Sequence, residues 1–430
     1  MMENLRDAYA CPCDESAMFD KFILPSRGAG MWVWAEGEEQ PYLDLVLGYS
    51  SLNFGHCHPA IAEAAIKAAN QLTQIHSFHT KNKLLLSKYL ADAVSSEEQY
   101  KVYFDIGGAS VVSAALRLCR AYTGKKPIIS FQGAFHGTGY LPATVTDSEI
   151  LNKDQYGLGE FGEHIIRLPY PDKHGNLSTQ ESLFQIQKVI DEFQPAAVII
   201  EPIQGAAGFI IPHEDFLPKF QELTQKAGVM LIIDEIQMGM GRTGHLYSYQ
   251  RWDMQPDIVL LSKSLAGGYY PLSALIVKSE LFDQVSPKGT AFQATFNNNP
   301  FGVTVALETL KIVERENWFN NALVQGKKLF EKIQFLAESP YIYNLRGIGM
   351  AFAFNVSANG NADSPAPDLA KLFAKVALEE HVLLYACGAK GNAIKIAPPI
   401  NINDEELEII VDNLHNCLNK FHDAVAVAVN

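Results

Sequence analysis

Three charged side chains, Glu201, Asp234 and Lys263, each come directly or almost directly after a short apolar segment. Buried ion pairs are poor stabilisers, so a lysine placed beside carboxylates at the ends of buried strands favours a functional role. A desolvated lysine amine can act as a nucleophile toward a carbonyl carbon and as a general base or acid. From these residues alone, a purely structural salt bridge remains the alternative.

The apolar segments belong to an alternating strand and helix pattern. Helical patterns cover Ser110–Tyr122 and Asp215–Ala227, the second of which ends at Gly228. Short apolar strands with helices between them indicate an α/β fold with a mainly parallel sheet covered on both faces. Ligands bind at the carboxyl ends of the strands in such sheets. The predicted strands are 100–106, 127–131, 196–200, 230–233 and 258–261.

The spacing and the glycines add two expectations. Asp234 and Lys263 are 29 residues apart, which leaves room for one helical crossover between adjacent parallel strands. Gly107, Gly108 and Ala109 follow the first strand and precede a helix, so their N–H groups could bind an anion such as phosphate. An ordinary strand-to-helix turn is the alternative for these three residues.

The segment Gly239–Gly244 matches the pattern G-x-G-x-x-G of dinucleotide-binding proteins. That motif requires the glycines immediately after the strand. Here Asp234 and Glu235 follow the strand instead, and their negative charge would repel a pyrophosphate. The sequence therefore argues against a dinucleotide site.

Composition narrows the class of protein. The chain has 430 residues, and 48 acidic against 34 basic residues give a net charge of −14. An acidic surface disfavours binding to nucleic acid and to anionic membranes. No apolar run approaches the roughly 18–20 residues of a membrane span, and Met1–Ser16 has no secretory pattern. We expect a soluble, cytoplasmic protein.

Six cysteines are scattered over this long chain, which has no need of disulfides at its size. Cys11 and Cys13 form the one close pair, and no further metal ligands cluster near them. We therefore predict no metal site, and the role of this pair stays open. The other cysteines are Cys57, Cys119, Cys387 and Cys417.

Sequence blocks along the chain resemble the class III aminotransferases, which include ornithine and 4-aminobutyrate aminotransferases. The resemblance extends from about Gly30 to Leu414. It implies a pyridoxal-phosphate (PLP)-dependent transferase fold of type I, with a large domain built on a mainly parallel sheet and a smaller α+β domain. The blocks are YLDLVLGYSSLNFGHCHPAI at 42–61, AALRLCRAYTGKKPIISFQGAFHG at 114–137, EPIQGAAG at 201–208, LIIDEIQMGMGRTG at 231–244, PDIVLLSKSLAGGYYPLSA at 256–274 and APPI at 397–400.

The resemblance also implies roles around a pyridoxal 5'-phosphate cofactor. Lys263 would form the Schiff base with the cofactor aldehyde, and Asp234 would keep the pyridine nitrogen protonated. Phe135 would stack on one face of the ring, with a core phenylalanine as the alternative. Ile236 would support the other face, and Gln237 would bond the phenolic oxygen.

The resemblance places the cofactor phosphate at the N–H groups of Gly108 and Ala109. Here the family commonly has Ser-Gly-x-Glu, whereas this chain has Gly-Gly-Ala-Ser. Thr295 matches a threonine that reaches the phosphate from the partner subunit, which implies a homodimer with shared active sites. A surface threonine is the alternative.

The substrate side departs from the family. Many members carry an arginine where this chain has Lys395, and 4-aminobutyrate-type members carry another where it has Thr138. Lysine keeps the charge but loses the bidentate fork, so carboxylate recognition should be weaker or differently angled. Glu201 matches a glutamate that pairs with a substrate-binding arginine, or it is structural. Aromatic candidates for a more apolar pocket are Tyr49, Trp32, Tyr140 and Tyr270.

The resemblance implies a transaminase with two half-reactions, which moves an amino group between an amine or amino acid and an oxo acid. A racemase, epimerase or aminomutase of the same family is the alternative, and a non-enzymatic scaffold is a third reading that Lys263 and Asp234 disfavour. We expect an N-terminal segment at 1–58 that joins the small domain, a large cofactor domain at 59–305 and a small domain at 306–430. A loop is expected at Ser357–Pro367.

Overall fold

The computed structural model describes residues 23–75, 78–147, 164–286 and 292–429. Cys11 and Cys13 lie outside these residues. The strands are β1 (Pro25–Ala29), β2 (Trp32–Ala35), β3 (Tyr42–Asp44), β4 (Tyr100–Ile106), β5 (Ile128–Phe131), β6 (Ile165–Leu168), β7 (Ala197–Ile200), β8 (Met230–Asp234), β9 (Ile258–Leu261), β10 (Leu272–Lys278), β11 (Ile342–Ile348), β12 (Ala351–Val356), β13 (Val382–Leu383), β14 (Ala386–Cys387) and β15 (Ala393–Ile396).

Helices separate most of these strands. Short 3-10 helices also occur, at Ser248–Trp252, Lys263–Ala266 and Ile333–Glu338. The α-helices are Pro59–Ala69, Lys81–Asp92, Gly108–Thr123, Tyr140–Val145, Thr179–Phe193, Phe216–Ala227, Ser279–Val285, Pro300–Arg315, Trp318–Lys332, Pro367–Glu379 and Asp404–Val429, with a short turn at Leu47–Ser50.

A seven-stranded sheet forms the centre, in the order β4-β10-β9-β8-β7-β5-β6. Strands β6, β5, β7, β8 and β9 run parallel, and β10 is antiparallel to both β9 and β4. Every residue of β5, β7 and β9 is buried, as their apolar sequences predict for strands covered on both faces. The predicted mainly parallel α/β sheet is confirmed.

The connection between Asp234 and Lys263 corrects one expectation. Strands β8 and β9 are adjacent and parallel, with Asp234 opposite Leu260. The crossover between them is made of turns and the 3-10 helix Ser248–Trp252, not an α-helix. The glycine-rich run at 239–244 explains the difference, because Met240, Gly241 and Gly244 adopt positive φ angles that an α-helix excludes.

Two four-stranded sheets flank this centre. The order β11-β12-β15-β14 is antiparallel, and the order β1-β2-β3-β13 joins N-terminal strands to one strand from the C-terminal part. The segment from Ser357 to Ala366 connects β12 to the helix Pro367–Glu379, as the expected loop would. The parallel pairing of β3 with β13 supports, as a proposal, an N-terminal segment that belongs with the small domain.

The described part of the chain has neither a membrane-spanning helix nor a cluster of metal ligands. None of its helices is long and apolar enough to cross a membrane. Within the same residues, no group of three or more His, Cys, Asp or Glu side chains could hold a metal ion. The described cysteines are free thiols.

Candidate active site

The carboxyl edge of the central sheet gathers the charged residues that the sequence singled out. Asp234 is the last residue of β8, Glu201 follows β7, and Lys263 begins the 3-10 helix after β9. Neighbouring parallel strands deliver all three to one edge, because their carboxyl ends point the same way. The backbone of Lys263 has a φ of 43°, a left-handed conformation that residues with side chains rarely adopt.

Asp234 is 3% exposed and is held from two sides. One carboxylate oxygen lies 2.7 Å from Nδ1 of His136, and the other accepts a bond from the Ile236 N–H at 3.0 Å. His136 is itself buried, and its Nε2 has no hydrogen-bond partner among the described residues. The sequence analysis missed His136, although it directly follows Phe135.

Lys263 has the electrostatic environment of a reactive amine. Burial, and after it the positive charge of Lys395, lowers the pKa of Lys263 to about 7, against the raising effect of Glu201 and Asp234. The residue as a whole is half-buried, and its amine lies in the protein interior. At neutral pH a large share of this amine is therefore unprotonated.

Glu201 is 4% exposed and makes two bonds to backbone N–H groups. Oε1 accepts from Phe135 at 3.0 Å, and Oε2 accepts from Gly205 at 2.8 Å. Burial raises the pKa of this carboxyl group, and nearby Asp234 raises it further, while His136 lowers it. Glu201 thus fixes the segment that carries Phe135, which is the structural alternative for this residue.

Two glycines bring the predicted cofactor contacts close together. A Cβ on Gly108 would lie 2.8 Å from Cδ1 of Ile236, and a Cβ on Gly205 would lie 2.2 Å from Oε1 of Gln237. Gly108 is the first residue of a 16-residue helix, and no side chain caps its N-terminus. Backbone N–H groups at such an end are available to an anion.

The predicted phosphate-binding loop and the predicted stacking residue lie at the same edge of the sheet. Gly108 and Ala109 follow β4 after Gly107, and Phe135 lies in the loop after β5. The hydroxyl of Ser110 donates locally, at 2.8 Å to the carbonyl of Ile106 and at 2.7 Å to that of Gly107. Because the Ser110 hydroxyl donates to carbonyls of its own turn, the backbone N–H groups are the donors that this loop can offer to an anion.

Lys395 lies in β15 and is 3% exposed. Its Nζ donates to the carbonyl of Gly205 at 3.1 Å. Three aromatic rings surround the amine, with centroids at 4.9 Å for Tyr385, 5.1 Å for Phe209 and 5.9 Å for Tyr49. Rings at these distances stabilise a desolvated cation.

A narrow cavity, too tight to admit a water molecule, lies against this cage and is lined by Tyr49, Phe209, Gln237, Tyr385 and Lys395, among others. The structure thus brings together Tyr49 and Lys395, two of the residues predicted for the substrate side. Phe209 and Tyr385 were missed, because no pattern around either residue distinguishes it from a core aromatic.

The other predicted pocket residues do not line this cavity. Trp32 is half-buried in β2 and packs on the core, and Tyr270 packs against Gly302 and Phe301. Thr138 and Tyr140 are exposed. Thr295 is exposed as well, and its carbonyl accepts a bond from Gln74 at 2.6 Å. Within one chain, Thr295 is therefore not part of the Lys263 group.

Solved structures with the same fold are transaminases. A transaminase from the marine bacterium Virgibacillus matches with a TM-score of 0.88 at 23% identity, over 98% of this chain and 99% of that one. An omega transaminase from Pseudomonas jessenii, in complex with PMP, matches with a TM-score of 0.88 at 24% identity, over 99% and 98%. At this identity the likeness establishes the fold.

Sequence relatives establish the family. The 4-aminobutyrate aminotransferase GabT of Escherichia coli is 30% identical over 93% of this chain and 94% of its own length. An acetylornithine aminotransferase of Methanopyrus kandleri is 32% identical over 93% and 95%. The family model described as aminotransferase class-III matches residues 15–418. With a half-buried lysine and a buried aspartate at the sheet edge where the family's blocks lie, this chain belongs to the class-III aminotransferases.

Proposed function

We propose that Lys263 holds pyridoxal 5'-phosphate covalently in this PLP-dependent transaminase and that Asp234 holds the protonated ring nitrogen. The observation that carries the proposal is a lysine amine with a pKa lowered to about 7, at the same strand edge as a buried aspartate. When bound, the cofactor supplies an electron-withdrawing ring that stabilises the charge left when a substrate loses its α-proton.

The residues present fit this cofactor. The uncapped helix start at Gly108 and Ala109 suits the phosphate, and Phe135 is half-buried, so part of its ring is free for stacking. Ile236 lies close to Gly108, and Gln237 lies close to Gly205. Their closeness to the helix start and to the Glu201 segment supports the proposal.

The unprotonated amine of Lys263 suits proton transfer as well as attachment. Released from the cofactor, Nζ can take a proton from the substrate carbon and return one, because its pKa lies near neutrality. His136 orients the Asp234 carboxylate through the 2.7 Å contact, so that the other oxygen is fixed by the Ile236 N–H. The relatives reported above are all aminotransferases, and none of them supports the racemase or aminomutase alternative.

We propose that Lys395 binds one carboxylate of an amino donor or oxo-acid acceptor. It is a cation at the wall of the cavity nearest Gln237, and its charge already reaches Lys263. Relatives named for 4-aminobutyrate and 5-aminovalerate act on amino acids with one carboxylate, which this single cation would suit. Glu201 and Trp32 are assigned no direct contact with substrate.

We further propose a cytoplasmic homodimer in which Thr295 reaches the phosphate of the partner subunit. Thr295 is exposed, and its neighbour Phe296 is 52% exposed despite its apolar ring. Large exposed apolar side chains mark interaction surfaces when they cluster. The segment around Gln74, which donates to the Thr295 carbonyl, also exposes apolar side chains, at Ile66 (65%), Leu72 (39%), Leu84 (56%) and Leu85 (42%). The domain limits 1–58, 59–305 and 306–430 are part of the same proposal.

Borohydride reduction of the cofactor-loaded protein tests the central claim. Reduction should fix one cofactor to the peptide that contains Lys263, as found by mass spectrometry. The variant Lys263→Ala should carry no label, while the control Lys278→Ala, a lysine paired with Glu98 and Asp257, should be labelled like the wild type. A label on another lysine would overturn the assignment.

A further inference from the structure

Two backbone segments that meet near Lys263 are both in a left-handed conformation. Lys263 has a φ of 43°, and the turn Leu47–Ser50, which packs nearby, has four successive left-handed residues with φ of 47°, 54°, 56° and 66°. Three of these four carry side chains, and such residues rarely adopt this conformation. Strain of this kind persists only where the surrounding structure fixes it.

A single hydroxyl joins the two strained segments. Oγ of Ser264 donates to the carbonyl of Ser50 at 2.6 Å and accepts from the N–H of Asn53 at 3.0 Å. Ser264 is 1% exposed, so these two backbone groups depend on it for their hydrogen bonds. The contact is tight around it, since a Cβ on Gly268 would lie 2.4 Å from Leu52.

The other end of the strained turn is fixed as well. Oδ1 of Asp44 accepts from the N–H groups of Val46 at 2.9 Å and Leu47 at 2.8 Å, and Oδ2 lies 2.8 Å from Nε2 of His56. With Asp44 at its start and Ser264 at its end, the turn has a defined position relative to Lys263.

The turn carries Tyr49 to the cation of the pocket. The ring of Tyr49 lies 5.9 Å from Nζ of Lys395 and meets Tyr385 edge to face, with centroids 5.0 Å apart and planes at 83°. A displacement of the turn would move this ring and open one side of the cage. The hydroxyl of Ser264, next in sequence to Lys263, therefore connects the Lys263 segment to the turn that carries Tyr49.

We propose that Ser264 is a positioning residue, which locks the Leu47–Ser50 turn to the Lys263 segment and so places Tyr49 and Lys395 for the substrate. This rests on the proposed function of Lys263 and Lys395. Loss of the hydroxyl should leave Lys263 in place but allow the Leu47–Ser50 turn and the Tyr49 ring to move. Any loss of substrate binding in a Ser264 variant should then depend on the presence of the Tyr49 ring.

A double-mutant cycle on the cofactor-loaded enzyme tests this route. The probe is aminooxyacetate, whose hydroxylamine nitrogen replaces the Lys263 amine at the cofactor's aldehyde carbon and whose carboxylate would meet Lys395. The loss of cofactor absorbance gives its second-order rate constant. We expect Ser264→Ala and Tyr49→Leu each to lower that constant about tenfold, since each removes hydrogen bonds or packing of that order. The rate constant of the double variant should equal that of the single variant with the lower rate constant.

Ser262→Ala is the matched control, because Ser262 is also buried beside Lys263 and donates one bond, at 3.2 Å, to the carbonyl of Leu272. The fold-reduction of the rate constant in Ser262→Ala should multiply with that in Tyr49→Leu, as for two independent sites. Ser264→Cys, which keeps the volume, replaces Ser264→Ala in the cycle if the alanine variant does not fold. If the fold-reductions of Ser264→Ala and Tyr49→Leu also multiplied in the double variant, the proposal would be overturned. Borohydride labelling of Lys263 in the same samples separates that result from a failure of the proposed function.

Discussion

Two regions of this protein bury positive charge, and they do so in different ways. Near the edge of the central sheet, Lys263 lies close to carboxylates, and Lys395 of β15 lies among aromatic rings at the cavity. Elsewhere, Arg242 and Arg346 are 0% and 1% exposed and donate mostly to backbone carbonyls, with one asparagine side chain each.

The partners of each buried cation reveal its use. Arg242 donates to the carbonyls of Met350 and Pro398 and to the side chain of Asn53, so it ties three segments together. Burial lowers the pKa of Arg242 to about 9 and that of Lys263 to about 7. Arginine still keeps its proton at neutral pH, whereas lysine becomes a partly neutral amine that can react. Burial of charge alone therefore does not identify an active site.

Matched truncations should separate the two regions most clearly. We expect Lys263→Met to lower transaminase turnover by about 10⁴-fold, the scale of a lost general base, without lowering the Tm. Arg242→Met should instead destabilise the fold by about 3 kcal/mol, because three buried acceptors lose their donor. Turnover assays and thermal unfolding measure the two effects, and exposed Arg315→Met is the control. Equal losses of Tm in both lysine and arginine variants would contradict the distinction.

The contact between His136 and Asp234 should show an intermediate effect within the sheet-edge region. His136→Leu removes the 2.7 Å partner of a carboxylate that is otherwise held by one N–H, so we expect kcat to fall about tenfold with a smaller change in KM. Steady-state kinetics at several pH values would measure this. His213→Leu, which loses a bond to the carbonyl of Leu177, is a control for the loss of a histidine. A change in KM alone would argue against the orienting role.

Lys395 should produce the smallest effect, a shift along the pH axis. In the wild-type apoenzyme, attachment of pyridoxal 5'-phosphate should rise with pH and reach its midpoint near pH 7, as Lys263 loses its proton. Lys395→Met removes a positive charge that lowers the pKa of Lys263, so the midpoint should move to higher pH. Lys395→Arg keeps the charge and should leave it in place. Absorbance of the bound cofactor follows the titration, and an unchanged midpoint in Lys395→Met would disprove the coupling.

Much of the fold followed from local patterns. Strands β4 and β9 have the predicted limits, and β5, β7 and β8 differ by one residue. Mostly apolar runs between polar turns have little freedom to end elsewhere, and Gly107-Gly108 ends β4. The antiparallel strand β10 was not predicted, since its burial does not distinguish it from its parallel neighbours. The expected helical crossover rested on the spacing of Asp234 and Lys263 and did not take the glycine run at 239–244 into account. Its glycines allow close packing, with Leu323 and Phe319 within 2.3–2.6 Å of where a Cβ at Gly244 or Gly241 would lie.

The sequence by itself determined the strand edge and the residue types on it, because Asp234 and Lys263 are each fixed at the end of a short apolar strand. Only the tertiary structure decided what surrounds them. The cage of Lys395 draws Tyr49, Phe209 and Tyr385 from segments far apart in the chain, and Ser264 meets Ser50 across 214 residues. Contacts of this kind depend on how separate elements pack, and no local periodicity records that packing.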